Sequence, residues 1–182
     1  MASFAFTLNR PPFGKQRAIP TRPHGRGKAR MMTPPETRDY EETIAMACAD
    51  AMSKAGIWEA LQGPVRVDID MFYAIPESWP EWKKALASGE KMWCTVRPDE
   101  DNVTKSVYDG MNGVAYGDDA QVAAGDRRKV YSPSPRVEVR VSQLGLFDGD
   151  EFDDGAGYVK LARKKATGQG AAGHEPCPFD DG

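Results

Sequence analysis

The sequence predicts an α/β fold, of the α+β kind, in which a small mixed β-sheet is flanked by two main helices. Three observations predict it. Segments 3–8, 64–74 and 136–144 alternate apolar and polar residues, as half-buried strands do. Two other segments repeat apolar residues at helical intervals: Tyr40, Ile44, Ala47, Cys48, Ala51 and Ala55, then Val103, Val107 and Met111. The chain has 182 residues, of which 40% are apolar and 28% charged, which suits one domain with appendages.

The first strand is SFAFTL, residues 3–8. From Asn9 to Arg30 the chain is rich in Pro, Gly and Arg and reads as a loop. Thr33-Pro34-Pro35-Glu36 has the spacing of a capping box with proline in the first helical turn, Gly56 closes the helix that follows, and Arg38 and Glu42 on it read as a solvated pair. In the strand from Pro64 to Ala74, Val65, Val67, Ile69, Met71 and Tyr73 share one face and Arg66, Asp68, Asp70 and Phe72 the other. Asp68 and Asp70 form a D-x-D on that polar face. They are read as solvated, the alternative being electrostatic support for a nearby site. Residues 76–92 read as a strand exit and a short helical insertion bearing Trp79, Trp82, Lys83 and Lys84. Gln121 to Tyr131 reads as a strand whose middle, Arg127, Arg128 and Lys129, is open to a phosphate backbone. Ser132-Pro133-Ser134-Pro135 turns the chain into the closing strand.

Beyond Leu146 the apolar period collapses into Asp, Gly and Ala. Domain 1–146, which includes a basic N-terminal loop at 9–35, is therefore expected to precede a disordered acidic tail at 147–182, so both ends are flexible. Asp148-Gly149-Asp150 opens like a calcium loop, but Phe152 stands at the next ligand position. The net charge of −3 conceals a polarity. No acid occurs between Met1 and Pro35, where Arg10, Lys15, Arg17, Arg22, Arg26, Lys28 and Arg30 are all basic. Such a segment points to a polyanion, against the alternative of a solvated arm. Prolines 11, 12, 20 and 23 exclude the amphipathic helix of a transit peptide. No run of 18 apolar residues offers a membrane span, and no apolar signal segment opens the chain. Cys48, Cys94 and Cys177 lack metal-type spacing and read as reduced thiols, so a cytoplasmic location is expected.

The chemistry concentrates between Arg97 and Val122. Val103, Val107 and Met111 mark the apolar face of a short helix, with Asp101, Lys105 and Asp109 on the opposite face. Asp101 reads as its N-cap and Gly113 as the residue just past its end. Asp99 and Asp101 stand before the helix and Asp118 and Asp119 after it, on a Gly-containing turn that could return beside the helix start. Carboxylates gathered from two positions suit Mg²⁺, a hard cation with oxygen ligands and retained waters.

Asp99-x-Asp101-Asn102-x-x-Lys105, Asp109-Gly110-Met111-Asn112-Gly113 and Tyr116-x-Asp118-Asp119-x-Gln121-Val122 together resemble the RusA-type Holliday-junction resolvases of bacteria and phages. The resemblance runs from about Lys28 to Leu144. It implies that Asp99, Asp101 and Asp119 are metal-binding catalytic carboxylates and that Lys105 is the catalytic lysine, with Asp118 sharing or replacing Asp119. It implies phosphodiester hydrolysis with Mg²⁺ (Mn²⁺ being the alternative), a homodimer acting on branched DNA, and a role in recombination and repair. Arg17, Arg26, Lys28, Arg30, Lys83, Lys84, Arg127, Arg128 and Lys129 are the expected DNA contacts. For Trp79, Trp82, Lys83 and Lys84 the other reading is a covered core edge with lysines in water. Glu100, between the two aspartates, departs from the family pattern and adds negative charge where a phosphate must enter. Two other readings stand: a branched-DNA-binding protein that does not cut, and a broader phage flap or branched-DNA nuclease. Pure binding gains nothing from acids clustered near phosphates.

Overall fold

The computed structural model describes residues 2–21 and 30–145. Its elements are β1 (Ser3–Leu8), β2 (Ile19–Thr21), β3 (Arg30–Met32), α1 (Pro35–Lys54), β4 (Val65–Ala74), α2 (Glu81–Ala87), α3 (Glu100–Met111), β5 (Val122–Ala124), β6 (Arg127–Ser132) and β7 (Arg136–Gln143). This is the expected mixed sheet with two main helices, α1 and α3, and a short third one, α2.

Strand β4 is the centre of the sheet. One edge pairs antiparallel with β7 from Val65 to Phe72, and β7 in turn pairs antiparallel with β1. The other edge is shared: β5 takes Val65 and Arg66, β6 takes Ile69 to Ala74, and both run parallel to β4. Parallel pairing demands a crossover, and α2 and α3 lie in it.

The alternation of apolar residues becomes a core. Phe4, Phe6 and Leu8 of β1, Val65, Val67, Ile69, Met71 and Tyr73 of β4, and Val137, Val139 and Val141 of β7 are all buried. They meet Tyr40, Ile44, Cys48 and Met52 of α1 and Val103, Val107 and Met111 of α3. Each fully buried aliphatic side chain contributes about 1.5–3 kcal/mol relative to exposure. Burial pushes the Cys48 thiol up to about 12, so it packs as a small apolar group.

Four expectations are corrected. The segment 9–30 is not loop throughout, because β2 and β3 pair antiparallel, Ile19 with Met32 and Thr21 with Arg30. Strands of three residues are too short to show a period. Helix α1 is capped by Pro34 with no side-chain hydrogen bond, so Thr33 makes no capping box. Two successive prolines lack N–H groups, which leaves Thr33 less to cap. The strand expected from Gln121 to Tyr131 is broken into β5 and β6 at Gly125-Asp126. A Cβ on Gly125 would stand 2.0 Å from the Val67 carbonyl oxygen, so only glycine passes there. Arg38 and Glu42, expected to pair one helical turn apart, do not pair among the described residues, whereas Lys54 and Asp50 do, at 2.5 Å.

The sheet face turned away from the helices carries the second D-x-D. Asp70 is 9% exposed and receives Arg128 at 2.9 Å and Arg140 at 3.0 Å. Asp68 accepts from Arg66 and from the backbone N–H of Asp126. Burial raises the Asp68 pKa, but the Asp126 N–H and the Arg66 guanidinium outweigh it and hold the carboxyl below its ordinary value. Neither acid is simply solvated, and both serve cross-strand pairing on that face.

No helix among the described residues is long and apolar enough to cross a membrane. Cys48 and Cys94 are buried free thiols. Arg26, Lys28, Cys177 and the whole of 147–182, including the tail and its Asp148-Gly149-Asp150, lie outside the described residues.

Candidate active site

Helix α3 begins two residues earlier than its pattern suggests. Its N-cap is Asp99, and Asp101 lies inside the first turn. Asp99, Glu100, Asp101 and Asn102 are all polar residues suited to a helix start, so the sequence does not separate them. At the other end Asn112 is the C-cap and Gly113 follows with φ 75°, as expected.

As an N-cap, Asp99 is unusual in that its side chain makes no capping hydrogen bond. Its carboxylate is exposed and has no ion pair among the described residues. Asp101 is also exposed, with Lys105 3.5 Å away one helical turn on. Two carboxylates and an ammonium thus face solvent together, beside a depression lined by Gly14, Lys15, Arg97, Pro98, Asp99 and Asn102. Lys15, read from sequence only as part of the basic loop, is bound there to Asp109 and Glu41. Desolvation lowers its pKa, but the Asp109 carboxylate outweighs this and the net shift is upward. Arg10 is likewise held, 2.8 Å from Asp39. Part of the N-terminal basic charge therefore docks the loop onto α1 and α3, while Arg17 stays exposed. Arg30 opens β3, at the other end of the hairpin.

Asp118 and Asp119 do not return to the helix start. Gly113 donates to the Tyr116 carbonyl at 2.8 Å, and the Tyr116 hydroxyl reaches the Tyr108 carbonyl, which keeps this turn at the C-terminal end of α3. Asp118 caps the short 3-10 turn Asp119–Gln121 by accepting from Ala120 N–H. The Gln121 amide fastens that turn to the carbonyls of Leu61 and Gly63, at the beginning of β4. Asp99 instead stands by the end of β4, where the Tyr73 hydroxyl donates to the Pro98 carbonyl at 2.9 Å. A helix of 12 residues separates the two acid pairs, a length of about 18 Å. Among the described residues no three His, Cys, Asp or Glu side chains stand close enough to hold one metal. The four acids of this chain therefore do not form one cage; Asp99 and Asp101 are the two that could hold a cation, with water completing its shell.

The cationic strand is more engaged than its sequence implies. Arg127 donates to the Tyr108 hydroxyl at 2.7 Å and stands 3.3 Å from Glu100, which also accepts from Thr104. Arg128 is bound to Asp70 on the opposite face of the sheet. Lys129 gives its ammonium to two backbone carbonyls, Val96 at 2.8 Å and Pro98 at 2.9 Å. The expectation that all three are open is corrected, because strand alternation sends Arg128 to one face and Arg127 and Lys129 to the other. At α2, Lys83 lies 3.6 Å above the Trp79 ring, Lys84 pairs with Glu81 at 2.9 Å, and Trp79 packs edge-on against Tyr131. Trp79 therefore covers the core edge. Trp82 is 66% exposed.

Comparison with known proteins fits this geometry. The chain is 31% identical over 128 residues to the uncharacterized protein YqaN of Bacillus subtilis (strain 168), covering 68% of this chain and 87% of that one. It is 29% identical over 82 residues to the crossover junction endodeoxyribonuclease rusA of Lactococcus phage r1t, covering 44% of this chain and 56% of the phage protein. The family profile of endodeoxyribonuclease RusA matches residues 9–142, which contain the helix start, Lys105, both acid pairs and the main-sheet strands after β1, save the last residue of β7. The chain belongs to the endodeoxyribonuclease RusA family.

Proposed function

We propose that the protein is a Mg²⁺-dependent endodeoxyribonuclease that cuts four-way DNA junctions, in recombination or repair. The observation that carries this reading is the start of α3. Asp99 holds the N-cap position without spending its carboxylate on the cap, and Asp101 and Lys105 face solvent beside it. Mg²⁺ (or Mn²⁺) there would lower the pKa of bound water and stabilise charge developing on the phosphate. Asp99 and Asp101 would hold it, and Lys105 would add positive charge near the scissile phosphate. Arg17, Arg30 and Lys83 remain candidates for phosphate contacts.

Symmetric cutting of a four-way junction takes two sites, and a C₂ homodimer supplies them most economically. The dimer also offers a route by which Asp118 or Asp119, at the far end of α3, joins Asp99: from the second copy.

The test uses a labelled synthetic four-way junction, a flap and a linear duplex of matching sequence, each with Mg²⁺ and, separately, with Mn²⁺. Paired symmetric nicks on the junction are expected, reduced roughly 100-fold or more in Asp101→Asn with junction binding retained. Equal cutting of the flap would identify a broader branched-DNA nuclease. Binding without cutting in either metal would overturn the nuclease reading.

A further inference from the structure

The segment that delivers Asp99 to the site is a strap fastened along its length. Residues 92–94 lie antiparallel against β6: Cys94 N–H donates to the Lys129 carbonyl at 3.0 Å, and Tyr131 N–H to the Met92 carbonyl at 3.0 Å. Between Cys94 and the first turn of α3 the chain has no strand or helix of its own. Here Lys129 takes over. Its Nζ donates to the carbonyls of Val96 and Pro98, and the Tyr73 hydroxyl donates to the same Pro98 oxygen. The ammonium also lies 4.9 Å from the centre of the Tyr73 ring. A carbonyl oxygen has two lone pairs, and the Pro98 carbonyl uses both. That carbonyl belongs to the peptide unit entering Asp99, so its direction helps set where the Asp99 carboxylate points.

We infer that Lys129, assisted by Tyr73, is the positioning residue of the carboxylate site. It acts through the Pro98 carbonyl on Asp99 and not through a DNA phosphate. The inference rests on the reading of Asp99 and Asp101 as the metal carriers. A lysine suits the task because one ammonium carries three donors on a flexible stem and can bridge two carbonyls that a strand cannot reach. Charge-assisted hydrogen bonds are roughly twice as strong as neutral ones, so the strap stays fixed when a phosphate approaches.

The experiment measures Mn²⁺ binding to the full chain, from the loss of the free-ion electron paramagnetic resonance signal, and junction binding separately in Ca²⁺. The proteins are wild type, Lys129→Met, Lys129→Arg, Tyr73→Phe and Asp99→Asn. Lys129→Met is expected to weaken Mn²⁺ binding about tenfold and Tyr73→Phe a few-fold, scales that match the loss of supporting groups around a metal site. Junction affinity should stay within about twofold, with no change in its salt dependence. Lys129→Arg, which can bond both carbonyls, should recover most of the Mn²⁺ affinity. Tyr73→Phe keeps the ring in the core and carries the test if Lys129→Met does not fold. Should Asp99→Asn abolish Mn²⁺ binding while Lys129→Met and Tyr73→Phe bind as wild type does, the positioning role is overturned and the carboxylate reading stands. Unchanged Mn²⁺ binding in Asp99→Asn overturns both. Weakened junction binding with a smaller salt slope, and unaltered Mn²⁺ affinity, makes Lys129 a phosphate contact and overturns the inference.

Discussion

The Arg127 guanidinium stands 3.3 Å from the carboxylate of Glu100, the acid that separates Asp99 from Asp101. The extra negative charge of this sequence therefore comes with a counter-charge from the neighbouring strand. Arg127→Ala should release Glu100 and weaken junction binding several-fold at low salt. Glu100→Gln in the same protein should restore most of it. A double-mutant cycle of junction affinity measures the coupling, and additive effects would mean that the pair is independent of DNA.

Acid pairs at opposite ends of α3 give a complementation test for the proposed dimer. Asp101→Asn and Asp119→Asn proteins are each expected to be inactive. If a site takes Asp101 from one copy and Asp119 from the other, mixed dimers contain one intact site and nick one strand of the junction. If each site is built within one chain, the mixture stays inactive. Denaturing electrophoresis of a junction labelled on each strand distinguishes the two.

Gly110 faces α1, and a Cβ there would lie 2.7 Å from Ile44 Cβ and 2.9 Å from the Glu41 carbonyl oxygen. Gly110→Ala should force the helices apart, at a cost of about 1–3 kcal/mol in urea denaturation. Gly113→Ala has open space but a positive φ of 75°, so it should cost about 1 kcal/mol through the backbone instead.

Glu90 is held by Arg136, whose guanidinium donates to both its oxygens, and by the Ser132 hydroxyl; these bonds bring its carboxyl from 4.5 down to about 2. The group binds fewer protons folded than unfolded. Its contribution is therefore fully present above about pH 4.5 and is lost as pH falls toward 2. Glu90→Gln should flatten the fall in Tm over that window. An identical slope in wild type and variant would show the pairing to be energetically silent.

The buried residues of the described core all precede Ser142, and β7 is complete at Gln143. Removing Phe147 onward should leave Tm and junction cutting as in the full chain. Loss of folding on truncation would refute the expectation that the tail is dispensable.

Long regular elements were legible. The period of Val103, Val107 and Met111 located α3, and the alternation from Val65 located β4, because one face of each is packed. What sequence could not show was fixed by contacts across the chain. The Gln121 amide finds the carbonyls of Leu61 and Gly63 and so keeps Asp118 and Asp119 away from Asp99. Gly125 breaks a strand because of where Val67 lies, and the β2–β3 pair is too short for any period. Tyr73 read as a plain core residue, and nothing in its spacing announces that its hydroxyl reaches Pro98. The family resemblance identified the motif residues, but Lys129 as the holder of their loop became visible only in three dimensions.

The strap over β6 also has a consequence in time. Asp99 and Asp101 leave the ribosome well before Lys129, which follows 30 positions after Asp99. Until β6 has emerged and docked against β4, the nascent chain carries the acids without the ammonium that steadies their loop. A prematurely terminated product, or a proteolytic fragment ending before β6, holds most of the motif and none of that support. On the proposed reading such a product would carry the acids without a site that works, and the ability to cut DNA would arrive only with the last strands of the sheet.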